Sequence, residues 1–284
     1  MLCLQRCLAS SRNALFNRSL QTGIVGLPNV GKSTLFNALV GDMQAEAANY
    51  PFCTIEPNVG LVSVPDPRLQ ILGDINKSVK VLPTIMEFVD IAGIIKGASE
   101  GAGLGNKFLA NIRNTDAIVQ VVRCFEDSNV IHVDETVNPL RDIEVIDLEL
   151  ALADLAQVEK RLAKCQKDKA SHGDEISVLT KIREKLDAGL PARSVPLTRQ
   201  EQQLVKGHML LTMKKVIYAA NVSDADLAAG NDMSRLVRKH AEQDGSEFVL
   251  VSAQVESELA GFSLEERGDF LDQLGVTDDT CGLK

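Results

Sequence analysis

The segment Gly23-Ile24-Val25-Gly26-Leu27-Pro28-Asn29-Val30-Gly31-Lys32-Ser33-Thr34 constrains this chain more than any other. A short apolar run, a glycine-bracketed loop and a helix start fit G-x-x-x-x-G-K-[ST], the pattern of a phosphate-binding loop. Gly26 and Gly31 let the backbone curl so that successive N–H groups converge on an anion. The positive end of the following helix adds to that field. In this reading Asn29, Val30, Gly31, Lys32, Ser33 and Thr34 surround the phosphates, Lys32 reaches the β/γ pair, and Ser33 ligates Mg²⁺. A plain glycine-rich strand-to-helix turn would match the same eight positions, so the remainder of the chain has to decide between them.

The second half of such a site stands at Ile85 to Gly93, where an apolar strand ends in D-x-x-G. Asp90 would hold Mg²⁺ through water, and Gly93 would offer its N–H to a γ-phosphate. Any strand can end in aspartate, but at this distance behind a phosphate loop the motif marks a GTPase-type switch. Between the two, Thr54 in the proline-bracketed Pro51–Pro57 loop suits a first switch segment that senses the metal and the γ-phosphate. The glycine-rich run Gly97–Gly105 suits a mobile second one. Asn221 would follow a further strand at Val216–Ala220.

Composition sets bounds on everything else. With 284 residues, the chain makes one large domain or two smaller ones. A formal charge of −9 argues against a protein that coats nucleic acid over its whole surface, while local basic patches stay open. The six cysteines form no C-x-x-C pair, so neither a disulfide framework nor a zinc site is indicated and a reducing compartment fits. No apolar run approaches the ~18 residues of a membrane span. Residues 1–21 carry Arg6, Arg12 and Arg18 with several serines, and no acidic residue precedes Asp42. That is the composition of an organellar transit peptide, mitochondrial or plastid. The alternatives are a disordered tail or a misplaced start, with a cytoplasmic protein.

From Ile143, leucines at 148, 155 and 162 recur every seven residues, with Leu152 and Val158 between them, and predict an apolar helix seam. A turn near Ser171–Asp174 separates it from a second helix carrying Val178, Leu179, Ile182 and Leu186. Two antiparallel helices would bury each other's seams. Lys160, Arg161, Lys164, Lys167 and Lys169 place positive charge toward the turn. It is either a solvated face or a tip that touches ribosomal RNA phosphates. Thr198-Arg199-Gln200-Glu201 has capping-box spacing and starts a fresh helix.

NYPFCTIEPNVG, PDPRL, EFVDIAGIIKGAS, GLGNKFL, VQVVRCFED and IHV, in that order, resemble the YchF-type Obg-like ATPases of the Obg family, across essentially Thr22–Lys284. The resemblance implies an α/β fold, a P-loop NTPase of the Obg-type G domain. Its mainly parallel sheet would be split into residues 22–144 and 206–284 by a helical hairpin at 145–205. Strands are expected near Gly23–Gly26, Val59–Val64, Ile85–Asp90, Ala117–Val122, Val216–Ala220 and Phe248–Val251. The family adds a small β-rich TGS domain, which this chain, stopping at Lys284, would lack through truncation or loss.

What the resemblance implies for function is an NTP hydrolase using Mg²⁺, a nucleotide-dependent switch linked to the ribosome or to stress. ATP, GTP or both would be bound, the large ribosomal subunit or its RNA is the expected partner, and a monomer is expected. Ile94 stands where Ras-like switches carry a water-orienting glutamine, and the family offers His132 as the substitute catalytic group, joining Lys32 and Gly93. A partly buried strand histidine is the bland alternative. Guanine-reading switches use N-K-x-D; here Asn221-Val222-Ser223-Asp224 keeps the carboxylate without the lysine, beside Ser252 and Ala253. ATP is therefore expected to bind at least as well as GTP. Asn29 matches the loop asparagine that holds K⁺ in potassium-activated switch proteins, though it could serve as a turn former alone. The other readings are a slow or non-catalytic nucleotide-dependent binding module, and a small-molecule kinase, against which the D-x-x-G strand end speaks.

Overall fold

Runs such as Ala117–Val122, apolar apart from Gln120, and Val216–Ala220 show no alternation of polar and apolar residues, so they suit strands covered on both faces. The computed structural model describes residues 19–41, 58–91, 93, 104–127, 130, 136–168 and 172–276. Leading the order is β1 (Leu20–Val25), followed by α1 (Lys32–Gly41), β2 (Val59–Ser63), α2 (Pro67–Asn76) and β3 (Ile85–Asp90). Then come α3 (Leu104–Asn114), β4 (Ala117–Arg123), α4 (Pro139–Cys165), α5 (Gly173–Asp187) and α6 (Arg199–Lys206). After these the chain forms β5 (Lys215–Asn221), α7 (Asp232–Asp244), β6 (Glu247–Val251), α8 (Ala253–Leu259) and α9 (Leu264–Gln273).

The strands form one sheet in the order β2-β3-β1-β4-β5-β6; β2 runs antiparallel to β3 and all other pairs are parallel. The mainly parallel α/β architecture expected from sequence is the one observed. From central β1 the chain goes to one side for β2 and β3, then crosses to β4 on the other. Such a switch point opens a crevice at the carboxyl ends of the strands. Ile24, Val25, Ile118, Val121, Tyr218 and Ala219 fill the sheet's core, against Leu35 of α1, Ile112 of α3 and Val237 of α7. All five parallel strands therefore deliver their following loops to a single edge.

Asn138 caps α4 by accepting from the Arg141 N–H, and Pro139 supplies a preset φ for the first turn. The helix has 27 residues, about 40 Å at 1.5 Å per residue. Its first half packs on the sheet through Ile143, Ile146, Leu150 and Ala153. Its second half packs on α5 through Ala151, Val158 and Leu162, against Val178, Leu179, Ile182 and Leu186. The predicted leucine seam holds at Leu155, Val158 and Leu162, which pack with α5, and fails at Leu148 and Leu152. Leu148 is 51% exposed and Leu152 38% exposed, whereas Val158 and Leu162 are buried. Two residues turn a helix through about 200°, so Leu148 lies opposite Ile146 and Leu150, whose face the sheet selects. Helix α4 runs without a break through 145, the expected start of the hairpin unit.

Buried Asp154 ties α4 to the chain returning toward β5. It accepts from the N–H groups of Leu211 at 2.9 Å and Thr212 at 2.8 Å, and from the Thr212 hydroxyl at 2.7 Å. Near the hairpin turn, Arg161 forks onto Glu175 at 2.7 and 2.8 Å, and His172 and His208 meet the same carboxylate at 3.1 and 3.0 Å. Cys165, His172 and Glu175 bring ligand atoms within 4.8 Å of one another. Yet every lone-pair direction of that carboxylate is already used, so the group is an ion-pair network rather than a metal centre. Arg161 is thereby withdrawn from the basic tip, where Lys160, Lys164 and Lys167 remain exposed and Lys169 lies outside the described residues. Thr198 and Glu201 form the predicted capping box at the start of α6.

Candidate nucleotide site

Between β1 and α1 the loop curls through two left-handed residues, Asn29 at φ 62° and Gly31 at φ 97°. A side chain at Gly31 would be strained and would run into the Asn221 amide nitrogen. At Gly26 a Cβ would stand 2.6 Å from the Val121 carbonyl. Both glycines are therefore demanded by close approach as well as by motif. Lys32 is almost wholly buried, and its ammonium donates to the Leu27 carbonyl at 2.7 Å, across the mouth of the loop. Burial pulls its pKa down, and the Asp90 charge partly opposes that. Gly93 lies against this ammonium: a Cβ there would stand 3.2 Å from Lys32 Nζ.

Ser33 Oγ donates to Asp90 Oδ2 at 2.8 Å, joining the loop's end to the end of β3. The other carboxylate oxygen, Oδ1, is buried and has no hydrogen-bond partner among the described residues. A hydroxyl and a carboxylate with an orphaned oxygen are hard ligands of the kind Mg²⁺ takes, so these residues fit that ion. Two of the three predicted metal residues are thus brought together. The third, Thr54, and the predicted catalytic His132 lie outside the described residues.

The base-side residues converge as well. Asn221 Nδ2 donates to the Val30 carbonyl at 2.9 Å and its Oδ1 accepts from the Ala253 N–H at 2.9 Å. Ser252 Oγ donates to Asp224 Oδ1 at 2.8 Å, and the Val222 N–H donates to the Val251 carbonyl at 2.9 Å. Asn29, Gly31, Thr34, Asn221, Val222, Asp224 and Ala253 line a cavity of about 620 Å³, large enough for a nucleotide-sized ligand.

Its opposite wall was not assigned any role from sequence. Phe125, Glu126, Asp127 and Val130 line it, and Gln254 and Glu258 close the side near α8. The residue that holds this wall is Arg123, whose buried guanidinium donates to the carbonyls of Phe125, Asp127 and Val130 at 3.1, 3.2 and 3.0 Å. A charged residue ending the apolar strand VQVVR was the available signal.

A family model described as "50S ribosome-binding GTPase" matches residues 21–172. The ribosome-binding ATPase YchF of Bacillus subtilis is 51% identical over 265 residues, covering 91% of this chain and 72% of that protein. The chain belongs to the YchF family. The YchF of Escherichia coli O157:H7 is likewise 51% identical over 259 residues, covering 89% of this chain and 70% of its own length. In three dimensions the chain is similar to the Schizosaccharomyces pombe YchF GTPase, with a TM-score of 0.80 at 36% identity. That match covers 92% of this chain and 72% of the yeast one. The YchF resemblance drawn from six short motifs therefore extends across the described sheet and helices.

Proposed function

We infer that this protein is a nucleoside-triphosphate hydrolase that works as a nucleotide-dependent switch on the ribosome, with Mg²⁺ as its cofactor. The observation that carries this reading is the Ser33–Asp90 pair with its orphaned Asp90 oxygen, set between the phosphate loop and Gly93. Mg²⁺ bound there would neutralise charge on the β/γ-phosphate oxygens. Lys32 exchanges the Leu27 carbonyl for those oxygens, at little cost because its ammonium is already desolvated. The N–H groups of the curled loop bind the β-phosphate, and Gly93 offers its N–H to the γ-phosphate, which is lost on hydrolysis. That loss is the signal a switch transmits.

Asp224, oriented by Ser252, accepts from a purine edge and admits both ATP and GTP, with ATP bound at least as well. A competitive titration favouring GTP by more than ~100-fold, about 2.7 kcal/mol, would reverse that order. His132 moves toward the γ-phosphate in place of the missing glutamine, Thr54 completes the Mg²⁺ site, and the carbonyl of Asn29 helps hold K⁺ beside the phosphates. The hairpin at 145–205 presents Lys160, Lys164 and Lys167 to ribosomal RNA, and the protein acts as a monomer. Among the described residues no helix is long and apolar enough to cross a membrane.

The deciding experiment is phosphate release from ATP and GTP with and without purified large ribosomal subunits. Release that is faster with subunits supports the switch. No turnover in either condition, with nucleotide still bound, would leave a nucleotide-dependent binding module, a reading that Ile94 in place of a glutamine favours.

A further inference from the structure

A guanidinium withdrawn from water costs several kcal/mol unless its donors are met, and the usual remedy is a carboxylate. Arg123 is 1% exposed, and among the described residues no carboxylate pairs with it. Its three nitrogens are spent on main-chain carbonyls of one short loop, at Phe125, Asp127 and Val130. Its plane also lies over the Phe125 ring, 4.7 Å from the centroid. A planar fork with fixed donor directions can hold three carbonyls at once; a lysine ammonium on a flexible stem cannot reproduce that geometry.

The loop so gathered is the wall of the cavity facing Asp224 and Ala253. The strand end beneath it is tied to the opposite side: Arg123 is in register with Asn221, and the Cys124 N–H donates to the Asn221 carbonyl at 2.8 Å. Asn221 in turn holds the phosphate loop and the start of α8. The phosphate half of the site, Lys32, Ser33, Asp90 and Gly93, makes no contact with Arg123 among those described.

The geometry points to Arg123 as a positioning residue for the nucleobase: its fork fixes Phe125, Asp127 and Val130 as the face against which a purine ring packs, and leaves phosphate binding to the loop after β1. Phe125, backed by the cation, supplies the aromatic surface, and neighbouring Glu126 and Asp127 supply acceptors for amino groups on the base edge. This rests on the nucleotide reading above.

The test compares ligands that share phosphates but not a base. Affinities of the full chain for ADP, GDP and inorganic tripolyphosphate, each with Mg²⁺, are measured for the wild type and for Arg123→Lys. The expected result is a loss of about tenfold for both diphosphates, near the low end of one base-stacking contact, with tripolyphosphate affinity unchanged. An equal loss for all three ligands, as a merely destabilised fold would give, overturns the proposal, and so does no loss for any. Amide exchange of the wild type is a second measurement that holds even if the variant fails to fold. ADP, but not tripolyphosphate, should protect the amides of residues 124–127, and protection by both or by neither overturns the proposal. A wild type that binds tripolyphosphate but neither diphosphate overturns this proposal while sparing the phosphate site; one that binds none of the three removes the nucleotide reading itself.

Discussion

The side-chain amide of Asn221 donates to the main-chain carbonyl of Val30 at 2.9 Å across a separation of 191 residues. With its carbonyl oxygen accepting from Ala253, one buried side chain fastens the phosphate loop to the base-side loops. Asn221→Ala orphans a buried carbonyl and a buried N–H, each worth about 1–2 kcal/mol. A denaturant midpoint consistent with a loss of about 2–4 kcal/mol is expected, together with weaker nucleotide binding. Unchanged affinity would mean that the two loops keep their places without the asparagine.

Asp90→Asn keeps a hydrogen-bonding partner for Ser33 but removes the negative charge that a divalent cation needs. Wild-type affinity for a nucleoside triphosphate should be higher in Mg²⁺ than in EDTA. In the variant the two titrations should superimpose. A persisting Mg²⁺ effect of the original size would move the metal away from Asp90.

Replacing His132 by alanine should lower turnover by about 100-fold, the scale of a lost proton-transfer or water-orienting group, with little loss of nucleotide affinity. Equal turnover would remove His132 from the mechanism.

An amide oxygen is a neutral, hard ligand that needs no deprotonation, which is why Asn29 can serve a monovalent cation. K⁺ at that position would offset the charge that an arginine finger otherwise offsets. Hydrolysis severalfold faster in K⁺ than in Na⁺ at equal ionic strength is expected, with the difference diminished in Asn29→Ala. Identical rates for the intact protein would return Asn29, whose φ is 62°, to the role of a turn residue.

Glu175 supplies a pH dependence. The Arg161 fork, together with His208, holds its carboxyl down to about 2, below the ordinary 4.5. A group whose folded pKa is depressed stabilises the fold above its unfolded value, and that contribution is lost as pH falls through the folded one. Acid unfolding of α4 and α5, followed by circular dichroism, should therefore steepen between pH 4.5 and about 2. Glu175→Gln should flatten that part of the curve, and an unaltered acid limb would show that the network does not couple to folding.

Much of this molecule was legible because local spacing carries its own physics. G-x-x-x-x-G-K-S demanded a tight loop between a strand and a helix, and Gly26, Gly31 and Lys32 occupy that loop as expected. The strand ending in Asp90 was readable from the run Ile85–Val89, and its meeting with Ser33 followed from chemistry that needs both. The helix start at Thr198 was visible in four residues, since a capping box is closed within one turn. All of these depend on neighbours a few residues apart, or on a motif whose ligand dictates the partner.

The helix seam and the base wall depended instead on which surface each element met. Leu148 by its stride and Leu152 as an intermediate position were expected in the seam, yet the sheet took the face bearing Ile146 and Leu150, and the heptad reading held from Leu155 onward, where α5 is the partner. Arg123 looked like a charge ending an apolar strand. The structure shows its guanidinium turned onto the carbonyls of Phe125, Asp127 and Val130 in the loop that follows, and only the fold set that loop in one cavity with Asp224. A main-chain carbonyl carries no residue-specific signature, so a side chain satisfied by carbonyls alone leaves no pairing pattern in the sequence even when its partners lie within seven residues, and which site the loop then faces is decided by tertiary structure.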